Sequence, residues 1–226
     1  MSDEPKVAIF SLLRDRADRV AEYKAKIYAM NYTNWTVSVI EGDSKDNTYT
    51  LLKEWEAVEP RVRVFKLDLG KPLYGSVVCP ERFWILGTLN DHMLNELVKD
   101  ESIDYFMYYQ PDLQPHNKAT LIQDLMKNDK DVIGVMIWGH GVFYDLWAHE
   151  FLDGKGFPQQ TKQWFANKYL DTFEVKNVGS MFLAKSKVVQ AGARYGTELD
   201  VKAFCNHARS LGFTVWVDPN IHVDHT

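Results

Sequence analysis

Asp112 stands in "YYQPDLQP" (108–115), directly after the strand-like run "IDYFMY" and between two prolines. A carboxylate there is a hard oxygen ligand suited to Mg2+ or Mn2+ bridging a diphosphate, and the flanking prolines are equally what a plain turn uses. A second cluster, "EGDSKDNT" (41–48), sets Glu41, Asp43 and Asp46 at a strand-to-helix turn. A carboxylate in that place accepts from ribose hydroxyls or a base, while the helix N-terminus favours anions. The plainer role is that Asp46 or Thr48 caps the helix. Arg14 and Arg82 offer guanidinium groups that match phosphate oxygens in a two-pronged way, though each alone is also an ordinary surface ion pair.

The segment "PNIHVDHT" (219–226) supplies His222, Asp224 and His225. Imidazole accepts Mn2+ as well as Zn2+, so a distant Asp–His pair can hold one ion, and the alternative is a solvated tail. No CxxC or HExxH pattern competes for a zinc site. "GTELDVKAF" (196–204) puts Glu198 and Asp200 at a helix start, where either serves as a base or orients an acceptor hydroxyl, or simply complements the helix dipole. Trp138, Trp147 and Trp164 either stack on sugar faces or pack beneath a long loop.

Elements must bring these groups together. "KVAIFSLLR" (6–14) is a buried-strand run, and Val20, Tyr23, Ile27 and Met30 then fall at helical spacing, predicting a helix over 16–30. Strands follow at 35–44 and 61–68, with a helix at 46–58 between them. Residues 70–80 read as a loop, 81–99 as a long helix and 103–109 as a strand. "NKATLIQDLMKND" is helical and 131–138 is another buried strand. Residues 139–177 lose clear periodicity, and a connection that long carries a functional loop or excursion. Strands at 178–184 and 213–217 flank a helix near 198–211. The alternation predicts an α/β fold with a mainly parallel central sheet and helices on both faces. Ligands in such sheets bind beyond the carboxyl ends of the strands, which singles out Ser11 to Arg14, Glu41 to Asp46, and Asp112.

The chain has 226 residues, which is most simply one domain. A net charge of −5 gives no electrostatic footprint for nucleic acid or an acidic membrane. Two cysteines, Cys79 and Cys205, make no disulfide framework. No signal peptide is apparent, and no apolar run approaches the roughly 20 residues of a membrane span, so a cytoplasmic protein is expected.

Taken in order, the pieces resemble a glycosyltransferase of the GT-A (Rossmann-like) fold. "VIEGDSKDNT" is similar to that fold's pattern of strand, acid, Ser, Asp and Thr. "DYFMYYQPDL" falls where a strand and an Asp-x-Asp motif stand, with Gln110 in the first acid's place and Asp112 in the second's. The closer resemblance is to the fungal mannan-polymerase α-mannosyltransferases, through "LIQDLMKNDKDVIGVMIW", "FYDLW", "VGSMFLAKSKVV" and "ARSLGFTVWVDPNIHVDH". It implies one domain over 1–226, with a nucleotide-binding part at about 1–115 and an acceptor-binding part at about 116–226. It implies Asp112 and His225 as metal ligands for Mn2+ or Mg2+, Glu41 at the nucleotide, and Asp200 as an acid preceding the final helix. Ser11, Leu13, Arg14, Arg82 and Gln110 are expected beside the nucleotide sugar. Trp138, Tyr144, Asp145 and Trp147 are expected on the acceptor side, with Asp200 and Glu198 as catalytic acids. Two departures stand out: Gln110 itself, and Leu89 where the family has a basic residue near the diphosphate. The fungal enzymes are also membrane-anchored and luminal, and no anchor is read here.

The expected activity is metal-dependent transfer of a sugar from a nucleoside diphosphate to a glycan or other hydroxyl acceptor. The resemblance implies retention of anomeric configuration; inversion would need a carboxylate base. The alternatives are a transferase acting on hydroxymethylated bases of viral DNA, which the acidic charge disfavours, and a non-catalytic nucleotide-sugar-binding module.

Overall fold

A computed structural model describes residues 4–75, 78–199 and 201–226. The chain opens with β1 (Val7–Leu13), whose side chains are buried on both faces, as a central strand demands. It continues through α1 (Ala17–Tyr28), β2 (Trp35–Glu41), α2 (Thr48–Val58) and β3 (Val62–Lys66). Then come α3 (Pro80–Leu97), β4 (Tyr105–Tyr109), β5 (Leu113–Pro115), α4 (Leu121–Met126) and β6 (Val132–Gly139). Pro80 opens α3, where a missing N–H leaves no helical bond unmade. The remainder is β7 (Val142–Phe143), α5 (Lys162–Ala166), β8 (Phe173–Val175), β9 (Met181–Lys185), α6 (Ser186–Gln190), α7 (Val201–Ser210) and β10 (Val215–His225).

The strands form one sheet in the order β3-β2-β1-β4-β9-β6-β10-β5, with β7 added to β6 and β8 to β10. The pairs β3–β2, β2–β1, β1–β4 and β6–β10 are parallel. β9 runs antiparallel between β4 and β6, so β6 and β10 point the same way as β1 to β4. The sheet is thus mixed and mostly parallel. Val20, Tyr23, Leu52, Trp55 and Ile122 bring α1, α2 and α4 onto one face. Met93, Leu94, Val188, Val189 and Phe204 bring α3, α6 and α7 onto the other. No helix among the described residues is long and apolar enough to cross a membrane.

Two segments differ from the sequence reading. The expected strand at 213–217 is the first half of β10, which runs on to His225 across a register shift between Asp218 and His222. That bulge accommodates Pro219, which lacks a ladder donor. The aperiodic stretch 139–177 holds three short elements, and its aromatics, Phe143, Phe151, Phe157, Phe165 and Tyr169, pack on one another in stacked and tilted pairs.

Candidate functional site

The end of β4 is held by side chains from other elements. Ser11 Oγ donates to the Tyr109 carbonyl at 2.6 Å and accepts from the Tyr23 hydroxyl at 2.5 Å. Lys26, buried on α1, donates to the Pro111 carbonyl at 2.8 Å and pairs with Glu22 at 3.0 Å. Burying an ammonium is costly, and these charge-assisted bonds offset that cost. The Thr226 amide and hydroxyl both donate to the Asp112 carbonyl, at 3.0 and 3.1 Å, and Arg19 in turn holds the Thr226 hydroxyl at 3.2 Å. The turn itself closes through the Leu113 amide to the Gln110 carbonyl at 3.1 Å. The carboxylate of Asp112 takes no part in it.

That carboxylate points at the end of β10. β10 pairs antiparallel with β5, setting His225 opposite Leu113, and His225 Nε2 lies 3.4 Å from Asp112 Oδ2. Asp112 Oδ1 is buried without a hydrogen-bond partner. Burial pushes the Asp112 carboxyl up, but His225, then its own backbone amide and Arg16, more than offset this and the net direction is down. The Tyr144 ring stacks on His225 with centroids 4.0 Å apart. Burial, then Asp112 and Asp145, raise the Tyr144 phenol.

This pair fits a divalent cation on chemical grounds. Neighbouring ligands about 2.1 Å from an ion stand about 3 Å apart, close to the observed separation, and an orphaned buried carboxylate oxygen is a ready donor. Among the described residues no group of three or more His, Cys, Asp or Glu converges, so the remaining ligands would have to come from a substrate and water.

Beside Asp112 opens a cleft of about 230 Å³ at the carboxyl ends of β1, β2 and β4. Leu13, Arg14, Arg82, Gln110 and Asp112 line it together, and so do Arg16 and Arg19. The sequence reading omitted those last two. Arginines at a helix start look like surface charges, and their position just after β1, in "LLRDRADR", was the available signal. Ile40, Ile85, Leu86 and Leu89 give the cleft an apolar floor. Arg14 donates to the Lys71 carbonyl at 2.7 Å and sits 3.8 Å from Asp43. Asp43, at φ 62°, takes the amides of Leu69 and Gly70 at 3.1 and 3.0 Å. Gly42 must be glycine, because a Cβ there would meet the Leu67 carbonyl oxygen at 2.1 Å. The 41–48 cluster thus zips to the 67–71 segment. Asp46 ties the two helix starts together, accepting from the Ala17 amide at 3.0 Å and the Thr48 amide at 2.9 Å.

Several expected residues sit elsewhere. Glu41 is wholly buried and absent from the cleft lining; Lys66 at 2.7 Å and the Ser44 amide at 2.9 Å occupy its two oxygens, so its carboxylate is not presented to a nucleotide. Ser11 is buried behind the cleft, bracing β4. Trp138 is a core residue between Phe143, Phe165 and His222. Trp147 stacks on Phe83 at 5.4 Å, with the Lys202 ammonium 4.0 Å from its ring centroid. Trp138 is thus taken up by the core, while Trp147 remains partly exposed. Tyr144 is exposed and stacks on His225, and its hydroxyl feels the charges of Asp112, Asp145 and Arg82. Glu198 is exposed. Asp200 lies outside the described residues.

No protein-family model matches the chain. No curated protein matches it by sequence. Solved structures do match in fold. S. aureus TarS (residues 1–349) in complex with UDP-GlcNAc superposes with a TM-score of 0.64 at 12% identity, covering 98% of this chain and 59% of that one. The mannosyltransferase PcManGT from Pyrobaculum calidifontis, in complex with GDP-Man and Mn2+, gives 0.60 at 11%, covering 99% and 57%. GalNAc-T7 with UDP, GalNAc and Mn2+ gives 0.65 at 10%, covering 100% and 44%. The chain therefore spans less than two thirds of each of these structures. The likeness is one of fold: an α/β, GT-A-like arrangement shared with glycosyltransferases. It does not single out the fungal mannan-polymerase enzymes.

Proposed function

We propose that this chain is a glycosyltransferase that uses one divalent cation, Mn2+ or Mg2+, to move a sugar from a nucleoside diphosphate to a hydroxyl acceptor. The observation that carries the proposal is the unpartnered Asp112 Oδ1 beside His225, at the mouth of a cleft with four arginines in its lining. A turn aspartate would spend both carboxylate oxygens locally, and here Oδ1 stays buried without a partner. The solved structures of similar fold that hold a nucleotide sugar, or a nucleotide with Mn2+, support the same reading.

In this reading about 1–115 binds the donor and about 116–226 the acceptor. Asp112 and His225 hold the cation, which when bound neutralises charge on the departing diphosphate. Arg14, Arg16 and Arg82 gather the phosphate oxygens, a task for which guanidinium geometry is suited. The apolar floor, with Leu89 where a basic side chain was expected, seats the uncharged part of the nucleotide. The Gln110 amide donates to a ribose oxygen or a bound water, which the carboxylate it replaces could not do.

A non-catalytic nucleotide-sugar-binding module is the second reading, favoured by Gln110 in the place of an acid. Purified protein incubated with UDP- and GDP-sugars and Mn2+ separates the two. Release of UDP or GDP supports the transferase, whereas tight binding without turnover of any donor supports the module.

A further inference from the structure

Behind Tyr144 lies a group of side chains that the proposed function does not yet use. Asp145 Oδ2 accepts from the Ser180 hydroxyl at 2.7 Å and stands 3.8 Å from His149 Nδ1. His149 is wholly buried. Its Nε2–H donates to the Val135 carbonyl at 3.1 Å, which leaves Nδ1 facing the carboxylate with no hydrogen bond of its own. Neutral imidazole offers only one N–H, so with Nε2–H spent on the Val135 carbonyl, Nδ1 presents its lone pair toward the Asp145 side.

The surroundings hold this pair in place. Ser180 is a non-glycine residue at φ 55°, a conformation that costs energy and persists where its environment enforces it. Its hydroxyl fixes Asp145 while its carbonyl accepts the Gln110 amide at 3.3 Å, and Gln110 lines the donor cleft. Gly179 leaves room, since a Cβ there would lie 2.1 Å from Ala148 Cβ and 3.0 Å from Asp145 Oδ2. Asp145 Oδ1 makes no hydrogen bond among the described residues, and the side chain keeps 11% of its surface open.

We propose, building on the transferase reading above, that Asp145 is the base that takes the acceptor's proton and that His149 is the positioning residue sharing it. The acceptor oxygen forms the new bond to the anomeric carbon as the bond from that carbon to the diphosphate breaks. The electron pair of the broken bond leaves on the diphosphate, and the acceptor's proton passes to the Asp145 carboxylate, with His149 Nδ1 as its second resting place. The 3.8 Å gap is of the kind that tightens when substrate arrives. Because a base at the acceptor serves direct displacement, the product is inverted, in place of the retention implied by the family resemblance.

Burial holds His149 below the ordinary imidazole range, against the pull of the Asp145 charge. Among the described residues, the other charged groups nearby are Asp112 and Arg82 across Tyr144, and Glu150, paired with Lys176 and Lys202, next in the chain to His149. His149 is therefore neutral at neutral pH with its Nδ1 lone pair open, and kcat falls as acid protonates that ring.

The test uses the whole protein with Mn2+, UDP-GlcNAc or GDP-mannose as donor, and water or a simple methyl glycoside as acceptor. NMR of the first product formed should show inversion. Asp145→Asn should lower kcat by about 100-fold or more, the usual weight of a general base, with nucleotide affinity unchanged by calorimetry. His149→Gln should remove the acid limb of kcat that protonation of this ring sets, because the variant has no imidazole there to protonate. A retained product overturns the inference without any variant. So does an Asp145→Asn enzyme within a few-fold of wild type, or an Asp200→Asn enzyme that alone loses turnover. Wild-type protein that binds UDP and GDP neither with nor without Mn2+ refutes the transferase reading itself, and this inference falls with it.

Discussion

Asp112 carries a charge that the fold has half buried and aimed at an imidazole. Its carboxyl is held below the ordinary 3.8 despite burial, because His225 stands against it. A carboxyl with a depressed folded value stabilises fully above its unfolded value and loses that contribution as pH falls through the folded one. Denaturation of wild type and Asp112→Asn should therefore separate near neutral pH and converge in acid below the carboxylate range. Curves that stay parallel down to that range would mean His225 lends no such support. Glu41 belongs to the same scale. Its acidic identity at a strand end was legible, but its direction was not: a carboxylate at that place faces either the cleft or the neighbouring strand, and Lys66 on β3 draws it to the latter. Glu41→Ala should cost about 1–3 kcal/mol of stability, the scale of losing a charge-assisted hydrogen bond in a buried place. UDP and GDP affinity should change little by calorimetry. The tryptophans were ambiguous for a similar reason, since aromatic content alone does not say whether a ring floors a loop or faces a sugar.

At the scale of elements, the strand ends of β1, β2 and β4 were legible because apolar runs alternate with helical spacing, and the site follows from where those runs stop. β10 was not. Pro219 and Asn220 read as the end of a strand, yet the register shift there lets the chain continue and deliver His225 beside Asp112. Sequence shows a proline but not the bulge that absorbs it. The contribution of α1 was hidden too, since Lys26 looks like any solvated lysine until its ammonium is found beneath the Pro111 carbonyl. Lys26→Met should leave that carbonyl without its charged donor and lower stability by about 1–3 kcal/mol. It should also weaken Mn2+-dependent nucleotide binding, measured by calorimetry on the folded variant, because the turn carrying Asp112 loses its anchor. Lys26→Arg should recover part of both. If nucleotide binding is untouched while stability falls, the lysine supports the fold alone.

Across the whole molecule, the six strands that point one way end at a common edge, and the cleft opens beyond it, as in other parallel α/β sheets. The α/β class and the mainly parallel sheet were readable from the order of elements. The antiparallel insertion of β9 between β4 and β6 was not, because a run of "MFLAK" carries no sign of its direction. That insertion matters, since it sets Ser180 opposite Gln110 and so joins the cleft to the Asp145 side. In the proposed function, Asp112 and His225 together make nucleotide diphosphate binding depend on a divalent cation. Titration calorimetry of UDP and GDP into wild type, Asp112→Ala and His225→Ala, each with Mn2+ and with a chelator, tests it directly. Wild-type affinity should rise with Mn2+ for at least one nucleotide, and neither variant should show Mn2+ enhancement, with all three proteins folded by circular dichroism. Equal enhancement by Mn2+ in wild type and Asp112→Ala would contradict it.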